Sequence, residues 1–298
     1  MTQPAREQLR RIGRYSSPLE AQATETRPRL KPLSGIRLIA FDIYGTLMIS
    51  GSGDIGTVAP DEGELRFRRL VAEELGIELP AALEAEKLFR EQVLSIHARL
   101  KSDGIPYPEV DSREIWRRIS SENEIAADPE ALALLFELAR NPVWPMPGSK
   151  ELLQGLKGVL PLGIVSNAQF YTPLVMSHFF PGGMGIFDSS LLVWSYAMGR
   201  AKPDPTLFEE LTLAARDSYG IEADEILYVG NDMLNDIAAA QSAGLHTALF
   251  AGDKRSLRLR DGDPRVEGAK PDLILTHLSQ LTDLIPQLQG ERREEVRF

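Results

Sequence analysis

The chain has 298 residues, 43% of them hydrophobic, and 33 Lys/Arg against 43 Asp/Glu give it a formal net charge of −10. That acidity argues against a nucleic-acid backbone binder, which needs a net basic face. The absence of cysteine excludes disulfides, a thiolate nucleophile and Cys-bound metal. No run approaches the roughly 18 apolar residues of a membrane span. The polar start, MTQPAREQLRR, lacks the apolar stretch of a secretory signal. The expectation is therefore a cytoplasmic protein without nucleic-acid or membrane partners. At roughly 150 residues per domain the length suggests two domains.

Residues 1–35 are polar and Arg/Pro-rich, with Arg6, Arg10, Arg11 and Arg14 close together. They read as an N-terminal extension, either a partly ordered arm or a packed segment. Ile36–Phe41 is a short apolar run of strand formers ending at Asp42. A Gly-rich connector follows from Gly51 to Gly63. Apolar residues three and four apart then predict helices over 64–75, 81–101, 111–119 and 129–140. Residues 51–140 hold 19 acidic and 11 basic side chains, so most of the net acidity lies there.

The pattern changes after Pro147. Helices are predicted over 149–158, 170–180, 205–219, 236–243 and 278–288. Strands are predicted at 162–165, 191–194, 225–229, 247–250 and 272–275. Such alternation argues for a parallel α/β sheet. The resulting division is an extension at 1–35, a discontinuous Rossmann-like core at 36–50 and 146–298, and an inserted helical bundle at 51–145.

Several predicted strands stop at small polar residues: Asp42, Ser166-Asn167, Asn231-Asp232 and Asp253. In open α/β sheets, ligands bind beyond the carboxyl ends of the strands. Helix capping is the competing explanation for any one of them. Together they suit a particular chemistry. An Asp carboxylate can attack an electrophile and form an ester. Thr46, Ser166 and Asn167 can donate hydrogen bonds to developing negative charge. Lys202 supplies a fixed positive charge. Asp232 or Asp236 can share a hard cation such as Mg²⁺ with Asp42.

The pattern resembles the haloacid dehalogenase-like (HAD) hydrolase superfamily with a helical cap. Its motifs are similar to Asp42-Ile43-Tyr44-Gly45-Thr46, to Ser166 at a strand end, to Lys202-Pro203, and to Gly230-Asn231-Asp232-Met233-Leu234-Asn235-Asp236. The resemblance covers about 36–250 and implies that Asp42 is the nucleophile. Phosphoester-cleaving members usually carry an acid two positions after the nucleophile, and this chain has Tyr44. A phenol with a reference pKa near 10, against about 4 for Asp, is a poor base at neutral pH. The dehalogenase branch of the family has a similar Tyr and needs no metal.

The acidic loop looks like the metal-binding type, with Asp232 favoured over Asn231 as ligand. The candidate metal positions are then Asp42, Tyr44, Asp232 and Asp236. The reading is a hydrolase acting through an aspartyl intermediate on a small anionic, phosphorylated substrate with Mg²⁺. The alternatives are a metal-independent 2-haloacid dehalogenase or a weakly active binding protein of this fold.

Overall fold

The structure, a computed structural model, describes residues 3–51 and 60–285. Much of the connector expected at 51–63 and the end of the helix expected at 278–288 lie outside them. In chain order the elements are α1 (Gln3–Tyr15), β1 (Leu38–Phe41), β2 (Met48–Ser50), α2 (Pro60–Leu75), α3 (Ala85–Ser102), α4 (Ser112–Glu122) and α5 (Pro129–Arg140). After these come β3 (Val143–Pro145), α6 (Ser149–Leu156), β4 (Leu162–Ser166), α7 (Thr172–Phe179), β5 (Leu192–Trp194), α8 (Ser195–Met198) and α9 (Thr206–Tyr219). The chain closes with β6 (Ile226–Gly230), α10 (Ala239–Ser242), β7 (His246–Phe250), β8 (Leu273–Leu275) and α11 (Gln280–Leu284).

Six strands form one parallel sheet in the order β5-β4-β1-β6-β7-β8. Every residue of β1, β4 and β6 is buried, which explains their continuous rather than alternating apolar sequences. The chain leaves β1 for β4 and β5 on one side, then returns to β6 on the other. This reversal opens a crevice at the carboxyl ends of the strands around β1. The Rossmann-like α/β core is thus as expected.

The four helices α2–α5 pack around Phe67, Phe89, Trp116 and Phe136, whose ring centroids stand 4.9–6.2 Å apart. Asp111 and Asp128 cap α4 and α5 through Arg113 N–H and Glu130 N–H at 2.9 and 3.2 Å, and Pro129 starts α5 where its missing N–H costs nothing. The antiparallel pair β2–β3 joins the two ends of this helical stretch. Val143–Pro145 was not expected as a strand, because three residues carry too little periodicity and their pairing is entirely long-range. Among the described residues no helix is long and apolar enough to cross a membrane.

The N-terminal extension is packed. Helix α1 buries Ile12 fully and lies against α5 and α7. The following arm bonds to the loop after β7, through Gln22 N–H to Asp253 Oδ1 at 2.9 Å and Lys254 N–H to Gln22 O at 2.7 Å. It then pairs Arg29 with Ile274 on the edge strand β8, with N–H···O distances of 2.9 and 3.0 Å. An otherwise unpaired sheet edge is thereby covered at that point.

Candidate active site

Asp42 is the first residue past β1, and its N–H donates to Val229 O of β6 at 2.9 Å. The chain turns directly afterwards at Gly45, whose φ is +85°. A Cβ there would stand 2.6 Å from both Asn231 Nδ2 and Ser256 Cβ, so glycine is required twice over. Ile43 and Leu47 are fully buried and anchor the turn. The Asp42 carboxylate is thus held beyond the sheet on a turn that cannot shift easily.

Four segments meet there. Asp42 Oδ1 accepts hydrogen bonds from Ser166 Oγ at 2.9 Å and from Lys202 Nζ at 2.8 Å. Asp42 Oδ2 takes no hydrogen bond among the described residues, leaving its lone pairs available to an electrophile. Lys202 Nζ also donates to Asp236 Oδ1 at 2.6 Å and to the Tyr228 hydroxyl at 2.9 Å. Burial alone would lower the Lys202 pKa. The charges of Asp236 and Asp42 outweigh it and raise the pKa above its ordinary value. Burial pushes the Asp236 carboxyl up to about 6 against the pull of Lys202, with Asp42 and Asp232 adding repulsion.

Asn167 has a structural task besides the one expected. Its side chain spans the backbone of Lys202, accepting from Lys202 N–H at 2.7 Å and donating to Lys202 O at 3.2 Å. It therefore fixes the lysine with its oxygen and one amide N–H. Thr46 is fully buried, and its hydroxyl donates to Asn231 Oδ1 at 3.2 Å. Asn231 Nδ2 in turn donates to Ser256 O at 2.6 Å.

Tyr44 lies 3.0 Å, hydroxyl to hydroxyl, from Thr172. Burial, then the Glu137 charge, raise its phenol above the ordinary tyrosine value.

The acidic loop settles into a π turn over Met233–Ala238. The Asp232 carbonyl accepts from both Asp236 N–H and Ile237 N–H, at 3.0 and 3.1 Å. Asp236 Oδ2 accepts the N–H groups of Asn231 and Asp232, each at 2.9 Å. Asp232 Oδ1 caps the turn through Leu234 N–H and Asn235 N–H at 2.8 and 3.2 Å. The same carboxylate receives Arg260, Nε to Oδ1 at 3.0 Å and Nη2 to Oδ2 at 2.5 Å. Arg260 has φ +57°, an unusual value for a residue other than glycine.

The four positions expected to hold Mg²⁺ fit it poorly as folded. A hard cation needs several oxygens with open lone pairs at about 2.1 Å. Asp236 has both oxygens bonded, Asp232 is a cap paired with an arginine, Tyr44 offers a phenol of raised pKa, and Lys202 bridges Asp42 and Asp236. Only Asp42 Oδ2 is open. Among the described residues no group of three Asp, Glu or His side chains is arranged to hold a metal ion.

Two members of the site went unnoticed in the sequence. Tyr228 is fully buried in β6, with its hydroxyl 2.6 Å from Val165 O and 3.2 Å from Asp236 Oδ1. Its signal was one polar-tipped aromatic in an otherwise aliphatic strand. Arg260 ends the basic run Lys254–Arg260 in the loop after β7, a stretch that reads as solvated loop. It instead pairs with the acidic loop of the core.

A sequence profile of the haloacid dehalogenase-like hydrolases matches residues 36–244. The phosphoglycolate phosphatase of Photorhabdus laumondii is 28% identical over 274 residues, covering 86% of this chain and 94% of that protein. A ribulose-1,5-bisphosphate 5-phosphatase of Halopiger xanaduensis is 35% identical over 103 residues, but that match spans 34% of this chain and 41% of the Halopiger protein. A 2-haloacid dehalogenase of Pseudomonas syringae pv. tomato shares the fold at TM-score 0.55 and 23% identity, covering 86% of this chain and 99% of that one. The strand-end site and the profile agree: the chain belongs to the haloacid dehalogenase-like hydrolase family.

Proposed function

We propose that Asp42 is the nucleophile of a hydrolase that forms a covalent ester with a small anionic substrate. The observation that carries this reading is the asymmetry of its carboxylate. Oδ1 is held by Ser166 and Lys202, while Oδ2 accepts nothing among the described residues. The helices α2–α5, between residues 51 and 145, act as the cap over this site.

The donor set favours displacement at carbon, as in 2-haloacid hydrolysis. A halide departs with its electron pair and needs no proton, so Tyr44 is no handicap. Asp42 Oδ2 attacks the carbon, the carbon–halogen bond breaks, and an aspartyl ester forms. Water then attacks the ester carbonyl, releasing a 2-hydroxy acid and restoring the carboxylate. We assign the water's proton to Asp236, whose Oδ1 accepts it once Lys202 releases that oxygen. Lys202 supplies the positive charge, and no step calls on a divalent cation.

The nearly full-length similarity to a phosphoglycolate phosphatase favours a second reading, a phosphomonoester substrate. An alkoxide leaving group needs a proton, and a phenol whose pKa is raised is a poor donor. That reading also needs Asp232 to exchange Arg260 for Mg²⁺.

The test measures halide release from 2-chloropropionate and phosphate release from phosphoglycolate, each with Mg²⁺ and with EDTA. Halide release that EDTA leaves unchanged supports the first reading. Phosphate release that EDTA abolishes overturns it in favour of the second. Release of neither, across wider panels of both classes, overturns both.

A further inference from the structure

The segment joining α3 to α4 reaches down from the helical bundle and grips both loops that carry the site. Tyr107 O accepts from Ala201 N–H at 2.9 Å, and Glu109 N–H donates to Gly199 O at 3.1 Å. This makes a short antiparallel bridge, Pro108 against Arg200, immediately before Lys202. Glu109 Oε2 accepts from Ser195 Oγ at 2.9 Å. Ser195 is fully buried, and its Oγ accepts from Ala168 N–H at 2.9 Å, one residue past Asn167. Gln169 completes the grip, donating to Val110 O at 2.8 Å and accepting from Ser112 N–H at 2.9 Å.

Lys202 is thus held from two sides. Asn167 clamps its backbone from the core, and residues 107–109 clamp Gly199 and Ala201 from the bundle. Burial pushes the Glu109 carboxyl above its ordinary range, against its bonds from Val110 N–H and Ser195. A buried acid is costly, and this one lies among the bonds that decide where the lysine sits. We propose that Glu109 is a positioning residue: through Ser195 and the 107–109 bridge it couples closure of the helical bundle to placement of Lys202 against Asp42. When the bundle lifts, these bonds break together, and the ammonium loses one side of its support. Asp42 is then poised only under a closed bundle. The inference rests on Lys202 as the group that neutralises Asp42, and it holds for either substrate class.

The test uses the full chain with Glu109→Ala, Glu109→Gln and Ser195→Ala, and reads hydrogen exchange at single amides without substrate. In Glu109→Ala the Ala201 and Lys202 amides should exchange about tenfold faster, as expected for the loss of one charge-assisted hydrogen bond. The β7 amides should not change. Glu109→Gln, which still offers Ser195 an acceptor, should restore most of the protection. Ser195→Ala, which keeps the backbone bridge, should give a smaller acceleration at the same two amides. On whichever substrate is turned over, kcat should fall more than KM rises. Unchanged exchange at 201 and 202 overturns the proposal, as does equal acceleration in β7, which marks general destabilisation. If Glu109→Ala does not fold, Ser195→Ala decides on the same criteria. Because exchange needs no turnover, failure of the proposed chemistry and failure of the coupling are separable.

Discussion

Two ion clusters tie remote parts of this chain together, with opposite surpluses. At the strand ends a single ammonium, Lys202, serves two buried carboxylates, Asp42 and Asp236. At the N-terminal helix three guanidiniums serve one buried carboxylate, and two of them also reach the half-exposed Glu7. Glu74 of α2 has a fully buried side chain and pairs with Arg10, Arg11 and Arg14, the last two at 3.3 and 3.0 Å. Tyr15 donates to it as well, at 2.8 Å. Burial raises the Glu74 pKa, but Tyr15 and the arginines outweigh it and the net shift is downward. The site is left short of positive charge, and Asp236 is strained upward instead. A cluster that only fastens is satisfied to excess; one that must react keeps a deficit and an unbonded oxygen.

The sharpest way to break the comparison is Asp42→Asn. It removes the proposed nucleophile and should lower kcat by about 10⁴-fold or more, with the thermal midpoint nearly unchanged. Activity surviving at a tenth of wild type would take the chemistry away from Asp42. Lys202→Met comes next, since it leaves two buried carboxylates without a counter-charge. Urea unfolding should show a loss of about 3–5 kcal/mol, together with loss of turnover. A neutral result would mean that water reaches the pair.

Glu74→Ala tests the other cluster. Arg10 and Arg14 are half exposed and can return to solvent, and the buried Arg11 keeps Glu7 and Gln8 as partners, so the loss is held to about 1–2 kcal/mol. The pH profile of the reaction should stay the same. A change in that profile would mean that the two clusters communicate.

The smallest effect expected is on pH. Folding raises the Asp236 carboxyl from 3.8 to about 6, so the fold favours its protonated form. Its contribution to stability is present below pH about 4 and is lost as pH rises through about 6. In the proposed chemistry its contribution to catalysis has the opposite sign, because the ionised form holds Lys202 and then accepts the water's proton. The rate should rise about tenfold between pH 5 and 7, with a limb near 6. Asp236→Asn should remove that limb along with most of the activity. A limb that persists in that variant belongs to another group.

Much of this was legible because polar residues after apolar strands mark their positions locally. Asp42, Thr46, Ser166, Lys202 and Asp236 were named from motif and strand end, and the sheet and four helices from periodicity. What escaped was set by contacts across the chain. Nothing near Asn167 says that it will clasp a backbone 35 residues later. The Arg-rich start gave no hint that its partner is Glu74. Asp232, favoured as a metal ligand on spacing, became a cap once Arg260 reached it from the loop after β7. Glu109 stands in a Pro-punctuated linker, and only the folded contacts with Ser195 and Gly199 distinguish it from a solvated acid.

The central claim is that a carbon ester forms on Asp42, and a single turnover in H₂¹⁸O tests it most directly. With enzyme in excess over 2-chloropropionate, water attacks the ester carbonyl. Peptide mass spectrometry should then find ¹⁸O in the Asp42 carboxylate. An unlabelled Asp42, with the isotope only in the released product, would contradict the account.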